Sequence, residues 1–344
     1  MPHVRSPLPL VACVLAFAAP ASEVLGWDAI GHRTVTLMAL DSLGEGTPAF
    51  LKDEQTRARI ASQSCEPDRW RGTQNLWLTH INNPDHYIDV EQLADYSLSM
   101  DGLPRLRNDY IAEIAISREA APEKYEPIDE KKDPSHSKFT PGFLPYSILE
   151  NFAKVQASFK SLRIMEALKD PARAQQVEQE RANVLYSMGV LSHFVADAAQ
   201  PLHTTIHHHG WVGDNPSEFT RRYSFHAEID GAVITTHGLN YPTMSHSRRA
   251  VEKIEPGAEF EAVKAYIEKS FAHVTPLYAL DKGGTLLKSE GKAFITDRLA
   301  DAASMLAGLY DLAWRTSEPT EQDIANFVKF DKFGWETGNP ASSR

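Results

Sequence analysis

The 344 residues carry a formal charge of −11 at pH 7, which argues against broad electrostatic capture of nucleic acid, since that needs a basic face. It does not exclude a metal site that binds a phosphate, because metal ions bring their own positive charge. Hydrophobic residues make up 42%, the ordinary proportion for a folded globular protein, and the length permits one large domain or two small ones.

In chain order, His3 and Arg5 open a short polar start, Leu8 to Ala19 is apolar, and small residues follow. Residues 1–26 therefore read as an export signal, removed after Ala21 or after Gly26. The apolar run is too short, and too close to Pro20, for a membrane span, and no later segment is long and apolar enough. The mature protein is expected to be soluble and secreted or periplasmic. Cys13 lies inside the signal, so only Cys65 remains after processing and no internal disulfide can form. A chain of this size buries enough core without one.

Ile30, Val35, Leu37, Met38 and Leu43 predict a helix over Trp27 to Leu43. Asp95 to Ser137 is polar and reads as an inserted surface segment, with a short helix near Asp109 to Ala120. Pro141 to Pro145 reads as a turn. Ile148, Phe152, Val155, Phe159 and Leu162 mark a strong helix over Ser147 to Leu168. Another covers Val177 to Gln200, stopped by Pro201. Thr204 to Ser217 is loop, and Glu218 to Thr236, Val251 to Tyr278 and Leu286 to Thr316 read as helices. Residues 336–344 read as a flexible tail. With no strand-rich region and no repeat, one all-α domain of packed helices over 27–335 fits best.

The most informative stretch is His193-Phe-Val-Ala-Asp197-Ala-Ala-Gln-Pro-Leu-His203. His193 and Asp197 stand four apart on a predicted helix and share a face, which suits an imidazole and a carboxylate converging on one ion. Leu191, Phe194 and Val195 make that helix mainly apolar, where an unpaired charge is costly and a metal resolves the cost. Pro201 ends the helix and turns His203 back toward that face. His226 and Asp230 repeat the spacing.

Taken singly, each pair is more often a solvated or hydrogen-bonded pair than a metal site. Asp68 and His86 are upstream candidates, with turn-forming or packed roles as their plain alternatives and His80 as a rival to His86. Removal after Gly26 would leave Trp27 first, so that its amine and carbonyl, with His32, chelate an ion. Without the other ligands, an apolar residue opening a helix is the better reading of Trp27. His207, His208 and His209 fit a flexible solvated run better than an extra metal site.

Together these residues resemble the zinc-dependent phospholipase C and single-strand nuclease superfamily, nearest to the fungal and plant nucleases that are also 3'-nucleotidases. The matching pieces are Trp27-x4-His32, Pro-Asp68-x2-Arg71, His86-Tyr-Ile-Asp89, the His193 to His203 run, and His226-x3-Asp230, in the family's order. The resemblance implies three zinc ions. One is held by Asp68, His86, His193 and Asp197. A second is held by His203, His226 and Asp230. A third is held by Trp27, His32 and a shared oxygen of Asp197.

Zinc lowers the pKa of bound water to about 7. Hydroxide would then attack phosphorus in line, with Asp68 orienting the water and Arg71, or its rival Arg69, stabilising the phosphoryl oxygens. For both arginines a surface ion pair is an equal reading. Tyr87 and Asp89 follow His86 as base-contacting residues do in the nuclease branch, against the equal alternative of a packed ring and a turn-capping carboxylate. The chain departs from the family in its longer 95–137 segment, its only partly matching Gly213-Asp214-Asn215 loop, and its lack of disulfides. The expected function is an exported zinc phosphodiesterase acting on single-stranded nucleic acid or nucleotides. The alternatives are a phospholipase C acting on lipid head groups and a non-catalytic metal-binding helical protein.

Overall fold

Helices supply nearly all regular structure in residues 27–334, the part of the chain that the computed structural model describes. The export signal and the 336–344 tail lie outside the described residues. The all-α expectation holds: apart from one antiparallel bridge between Ile88 and Gly142, the described residues contain no strand. No helix among them is long and apolar enough to cross a membrane.

The chain opens with α1 (Ala29–Asp41), capped by the Asp28 carboxylate, which accepts from the amides of Ile30 and Gly31. Three shorter helices follow, α2 (Glu54–Gln63), α3 (Glu66–Arg71) and α4 (Leu76–Asn82). Next come α5 (Arg107–Ala120), α6 (Leu144–Leu168) and α7 (Ala174–Ala199). A composite helix, α8, joins Phe225–Ala227, the π-helical turn Glu228–Val233 and Ile234–His237. The C-terminal part holds α9 (Glu259–Phe271), α10 (Val274–Lys282), α11 (Ser289–Arg315) and α12 (Glu321–Asp331).

The centre of the molecule is α7, packed among α1, α2, α6 and α11. Every residue from Met188 to Ala199 is buried. A helix buried on all sides is normally apolar throughout, so Ser192, His193 and Asp197 within this stretch each need a polar partner. Ser192 finds Thr36 of α1, with their hydroxyl oxygens 2.6 Å apart. Gly189 permits close approach of α2, because a Cβ there would lie 2.3 Å from the Gln63 Cβ and 2.9 Å from the Ile60 carbonyl oxygen.

Several sequence expectations need correction. Residues 218–224 are not helical: the Asn215 amide brackets Phe219, donating to its carbonyl and accepting from its amide at 2.8 Å each, and helix begins only at Phe225. The expected helix over Val251 to Tyr278 is two. Gly257, at φ +90°, delays the start to Glu259. Tight bonds from the Ala272 and His273 amides to Ser270 then close α9 before α10 begins. The segment 95–137 is more than surface decoration, since Met100, Leu103, Tyr110 and Ile114 join the hydrophobic core. Its helix is also longer than expected, and the turn expected near Pro145 is already the first turn of α6.

Candidate metal centre

Five separate pieces of chain meet at the C-terminal half of α7. The helix itself brings His193 and Asp197, both fully buried. Its end is set at Gln200, whose side-chain oxygen accepts from the Leu202 amide, and Pro201–His203 then forms one tight turn. That turn pairs with the segment after α4: the amides of Ile88 and Val90 donate to the carbonyls of His203 and Thr204 at 2.9 and 3.2 Å. On its other side the segment is held by residues 141–144. There Gly142, at φ +100°, leaves room where a Cβ would lie 2.1 Å from the Tyr87 carbonyl oxygen. His86 is thereby fixed beside His193 and His203. From α1 comes His32, from α3 Asp68, and from α8 His226 and Asp230.

The atoms cluster tightly. Asp197 Oδ2 lies 2.9 Å from His86 Nδ1, 3.3 Å from His193 Nε2 and 3.8 Å from His203 Nδ1, while its Oδ1 lies 3.6 Å from His32 Nε2. Asp68 is within 4.0 Å of His32, His86 and His193. His226 Nε2 lies 3.2 Å from Asp230 Oδ2, at the start of the wider π-helical turn. Three groups bring one ligand atom per residue within 4.8 Å of one another: His32, His193 and Asp197; Asp68, His86 and His193; and His203, His226 and Asp230.

What makes these groups candidate cation sites is the set of polar atoms left without partners. Both ring nitrogens of His32 and of His226, Nε2 of His203, Oδ1 of Asp68 and of Asp197, and Oδ2 of Asp230 are all buried without a hydrogen bond. Such atoms each cost roughly 1–3 kcal/mol unless something satisfies them. The supporting contacts orient them: His193 Nδ1–H donates to the Ser64 carbonyl at 2.8 Å, and His203 Nδ1–H to the His86 carbonyl at 2.6 Å. Each ring thus turns Nε2 inward. Gln200 donates to Asp230 Oδ1 at 2.6 Å and leaves Oδ2 for the cluster. Carboxylate and carbonyl partners of this kind fix ligand geometry in metal sites. The donor set, imidazole nitrogen and carboxylate oxygen without thiolate, suits zinc and also other divalent ions.

Electrostatics divide the residues. Burial holds His32 and His226 well below the usual histidine range and brings His86 down to about 3, so all three are neutral bases. Burial also lowers His193, but the Asp197 and Asp68 carboxylates outweigh it and raise the ring overall. Burial opposes ionisation of Asp197 too, yet His193 and His203 hold it well below the carboxylate range. Burial raises Asp68, and raises Asp230 strongly.

Groups whose pKa is raised in the ion-free protein carry protons that an incoming cation displaces, so affinity falls as pH falls. Titrating metal-free protein with zinc should therefore release protons from His193 and Asp230 below neutral pH. Calorimetry in buffers of different ionisation enthalpy checks this; a proton count of zero at pH 6 would contradict the assignment.

The structure separates the rivals. His80 Nδ1 donates to the Ser135 carbonyl and takes no part in the three groups, whereas His86 does. Arg69 is half-exposed and bonded to Glu66 and the Ser62 carbonyl. Arg71 is largely buried, with Nη1 3.8 Å from Asp68 Oδ1 and Nε unpartnered. Its positive charge also acts on His86, His209 and His226.

Trp27 is fully buried. Its indole donates to the Ala196 carbonyl at 2.9 Å, and the next amide, of Asp28, donates to the Asp230 carbonyl at 3.2 Å. The main chain just after Trp27 therefore runs beside Asp230, although Gly26 lies outside the described residues.

Tyr87 and Asp89 are not brought to the ligand groups. The Tyr87 hydroxyl donates to the Ser137 carbonyl. Asp89 is buried with Oδ1 3.9 Å from His208 Nδ1, and burial pushes its carboxyl up to about 8. Nor is the histidine run a loose solvated one. His207 stacks on Trp211 at 3.8 Å and His209 on the exposed Tyr223 at 4.3 Å. The His209 ring lies 5.7 Å from that of His226. Sequence reasoning did not single out Ser64 or Gln200 as orienting groups; Gln200 was visible inside the Asp197 to His203 run, whereas a backbone carbonyl at Ser64 leaves no residue signal.

Comparison of the chain with family models, with curated proteins and with solved structures found no match.

Proposed function

We propose that this chain is an exported, metal-dependent phosphoric ester hydrolase. Its substrate in this reading is single-stranded nucleic acid or a nucleotide, and its cofactor three zinc ions. The observation that carries the reading is the convergence of eight buried imidazole and carboxylate side chains, six of which hold polar atoms without a hydrogen bond, beside the largely buried Arg71. Zinc bound there supplies positive charge for a phosphate and lowers the pKa of a water to about 7.

The chain's own residues supply the rest. Asp197 sits between the His86–His193 group and His32, and Gln200 holds Asp230 against His226. Arg71 binds the non-bridging oxygens of a phosphate near Asp68. Asp68 aligns the attacking water and accepts its proton as the water oxygen bonds to phosphorus. The ester oxygen leaves on the opposite side and takes up a proton from solvent as the alcohol. His209 stacked on Tyr223 borders His226 and offers a ring surface for a base.

Arg71→Ala should lower kcat/KM by about a hundredfold to a thousandfold, the usual cost of a lost oxyanion donor. Arg69→Ala should stay within about twofold, as expected of an exposed ion pair. Steady-state kinetics on both variants check this, and equal losses would remove Arg71 from the site.

A phospholipase C is the second reading, favoured by the exposed apolar residues Leu76, Trp77 and Ile81 on α4. Assays of processed protein on single-stranded DNA, RNA, 3'-nucleotides and phosphatidylcholine, with and without chelator, separate the two. Hydrolysis of the lipid alone would overturn the nuclease reading, and no hydrolysis of any substrate would leave a non-catalytic metal protein. Mass analysis of the mature amino terminus tests the chelate at Trp27, which an end at Ser22 would abolish.

A further inference from the structure

A second concavity lies on the far side of the wall formed by Asn82 and Phe194. Asn82 Nδ2 is 3.1 Å from His86 Nε2, and the Phe194 ring meets the His86 and His193 rings edge-on at 5.4 and 5.3 Å. Their other faces line a cavity of about 850 Å³ between α4, α5 and the first turns of α6. This volume is within the roughly 300–1,000 Å³ typical of small-molecule sites. Its wall is largely apolar, built from Leu78, Ile81, Ile111, Ile114, Phe139 and Phe143. At the mouth two of the lining residues are exposed, Ile81 at 59% and Ile111 at 43%. Exposed apolar surface that runs into a cavity marks a site for an apolar ligand.

The charges around it are uneven. Arg107 is engaged by Asp85 and Glu150, His80 by the Ser135 carbonyl, and His136 by Glu130. Arg118 donates to the Glu126 carbonyl and lies over the Tyr125 ring, and Lys154 Nζ reaches only the Asn151 side-chain oxygen, at 3.3 Å. Neither forms an ion pair with a carboxylate among the described residues. The lining thus offers a long apolar wall with two cations that lack a counter-charge.

We propose that this cavity binds a single-chain anionic amphiphile of the long-chain fatty-acid type. The hydrocarbon chain lies against the α4–α5 wall, and the carboxylate takes Arg118 or Lys154. The site is independent of the metal centre and of any hydrolysis there. Arg118 and Lys154 face the cavity and do not touch the cluster. A neutral chain would leave the two cations without a counter-charge, and a bare small anion would leave the apolar wall wet.

The test is displacement of a dansyl-labelled undecanoic acid from processed, zinc-loaded protein by oleate. Saturable displacement with one site per chain and micromolar affinity is expected, with oleyl alcohol weaker than oleate. Ala115 lines the cavity from an exposed position on α5, so Ala115→Trp blocks the space without disturbing buried packing. It should weaken oleate by about tenfold or more, and Arg118→Glu should weaken oleate while sparing oleyl alcohol. Melting temperature and zinc content should stay unchanged in both variants. No saturable displacement, equal binding by Ala115→Trp, or association with phosphatidylcholine vesicles without binding of monomeric oleate would each overturn the proposal. Because the readout is binding, loss of nucleic-acid hydrolysis in an unrelated assay would not mimic its failure.

Discussion

Asp197→Asn should reduce bound zinc to one ion per chain or fewer and lower kcat/KM by about a thousandfold or more, equivalent to about 4 kcal/mol of transition-state stabilisation. The reason is its central position. One carboxylate faces His86 and His193 through one oxygen and His32 through the other, so its neutralisation weakens two of the three groups at once. The amide keeps the size of the side chain but removes the charge that balances His193. The group formed by His203, His226 and Asp230 does not use Asp197 as a ligand, so one ion should remain. Zinc content by mass spectrometry, with circular dichroism to check the helix content, tests the assignment; full zinc occupancy in the variant would refute it.

Stripping the metal should cost stability on a similar scale. A ligand that binds only the folded state contributes about 4 kcal/mol at a thousandfold excess over its Kd. Three such sites, filling a region where unpartnered imidazole nitrogens and carboxylate oxygens face one another, should raise the melting temperature by about 10 °C or more. Calorimetric scans of chelator-treated protein, before and after zinc is restored, measure the difference. Magnesium should not substitute, because it disfavours sites rich in imidazole. Identical melting curves with and without chelator would show that the cluster is satisfied by its own hydrogen bonds.

Much of the centre was legible because helical spacing converts sequence into geometry. His193 and Asp197 share a face at four residues' separation, and Pro201 had to end the helix, which brings His203 back. The long helices α6, α7 and α11 announced themselves through apolar periodicity. What was not legible depended on which side a short element shows the core. Arg69 and Arg71 are two apart on the six-residue helix α3, and only its packing decides which one faces Asp68. A weak signal existed, since Glu66 stands three residues before Arg69 and could claim it at the surface. Leu103, Tyr110 and Ile114 likewise carried an apolar message inside a segment that charged runs made look peripheral. Residues 218–224 resembled helix in composition, but bonds to Trp211, Gly213 and the Asn215 side chain hold them in another shape.

The bare Cα at Gly189 has an effect out of proportion to its size. It lies one helical turn before His193, on the same face of α7, and the end of α2 rests directly on it. The same approach carries the Ser64 carbonyl to His193 Nδ1, and that contact decides which nitrogen keeps its proton when a cation displaces the other. A methyl group at 189 would wedge the two helices apart, loosen the hold on the Nδ1 proton, and leave it undecided which nitrogen gives up its proton to a cation. Acid–base identity at His193 is thus set mechanically, by how near two helices can pass.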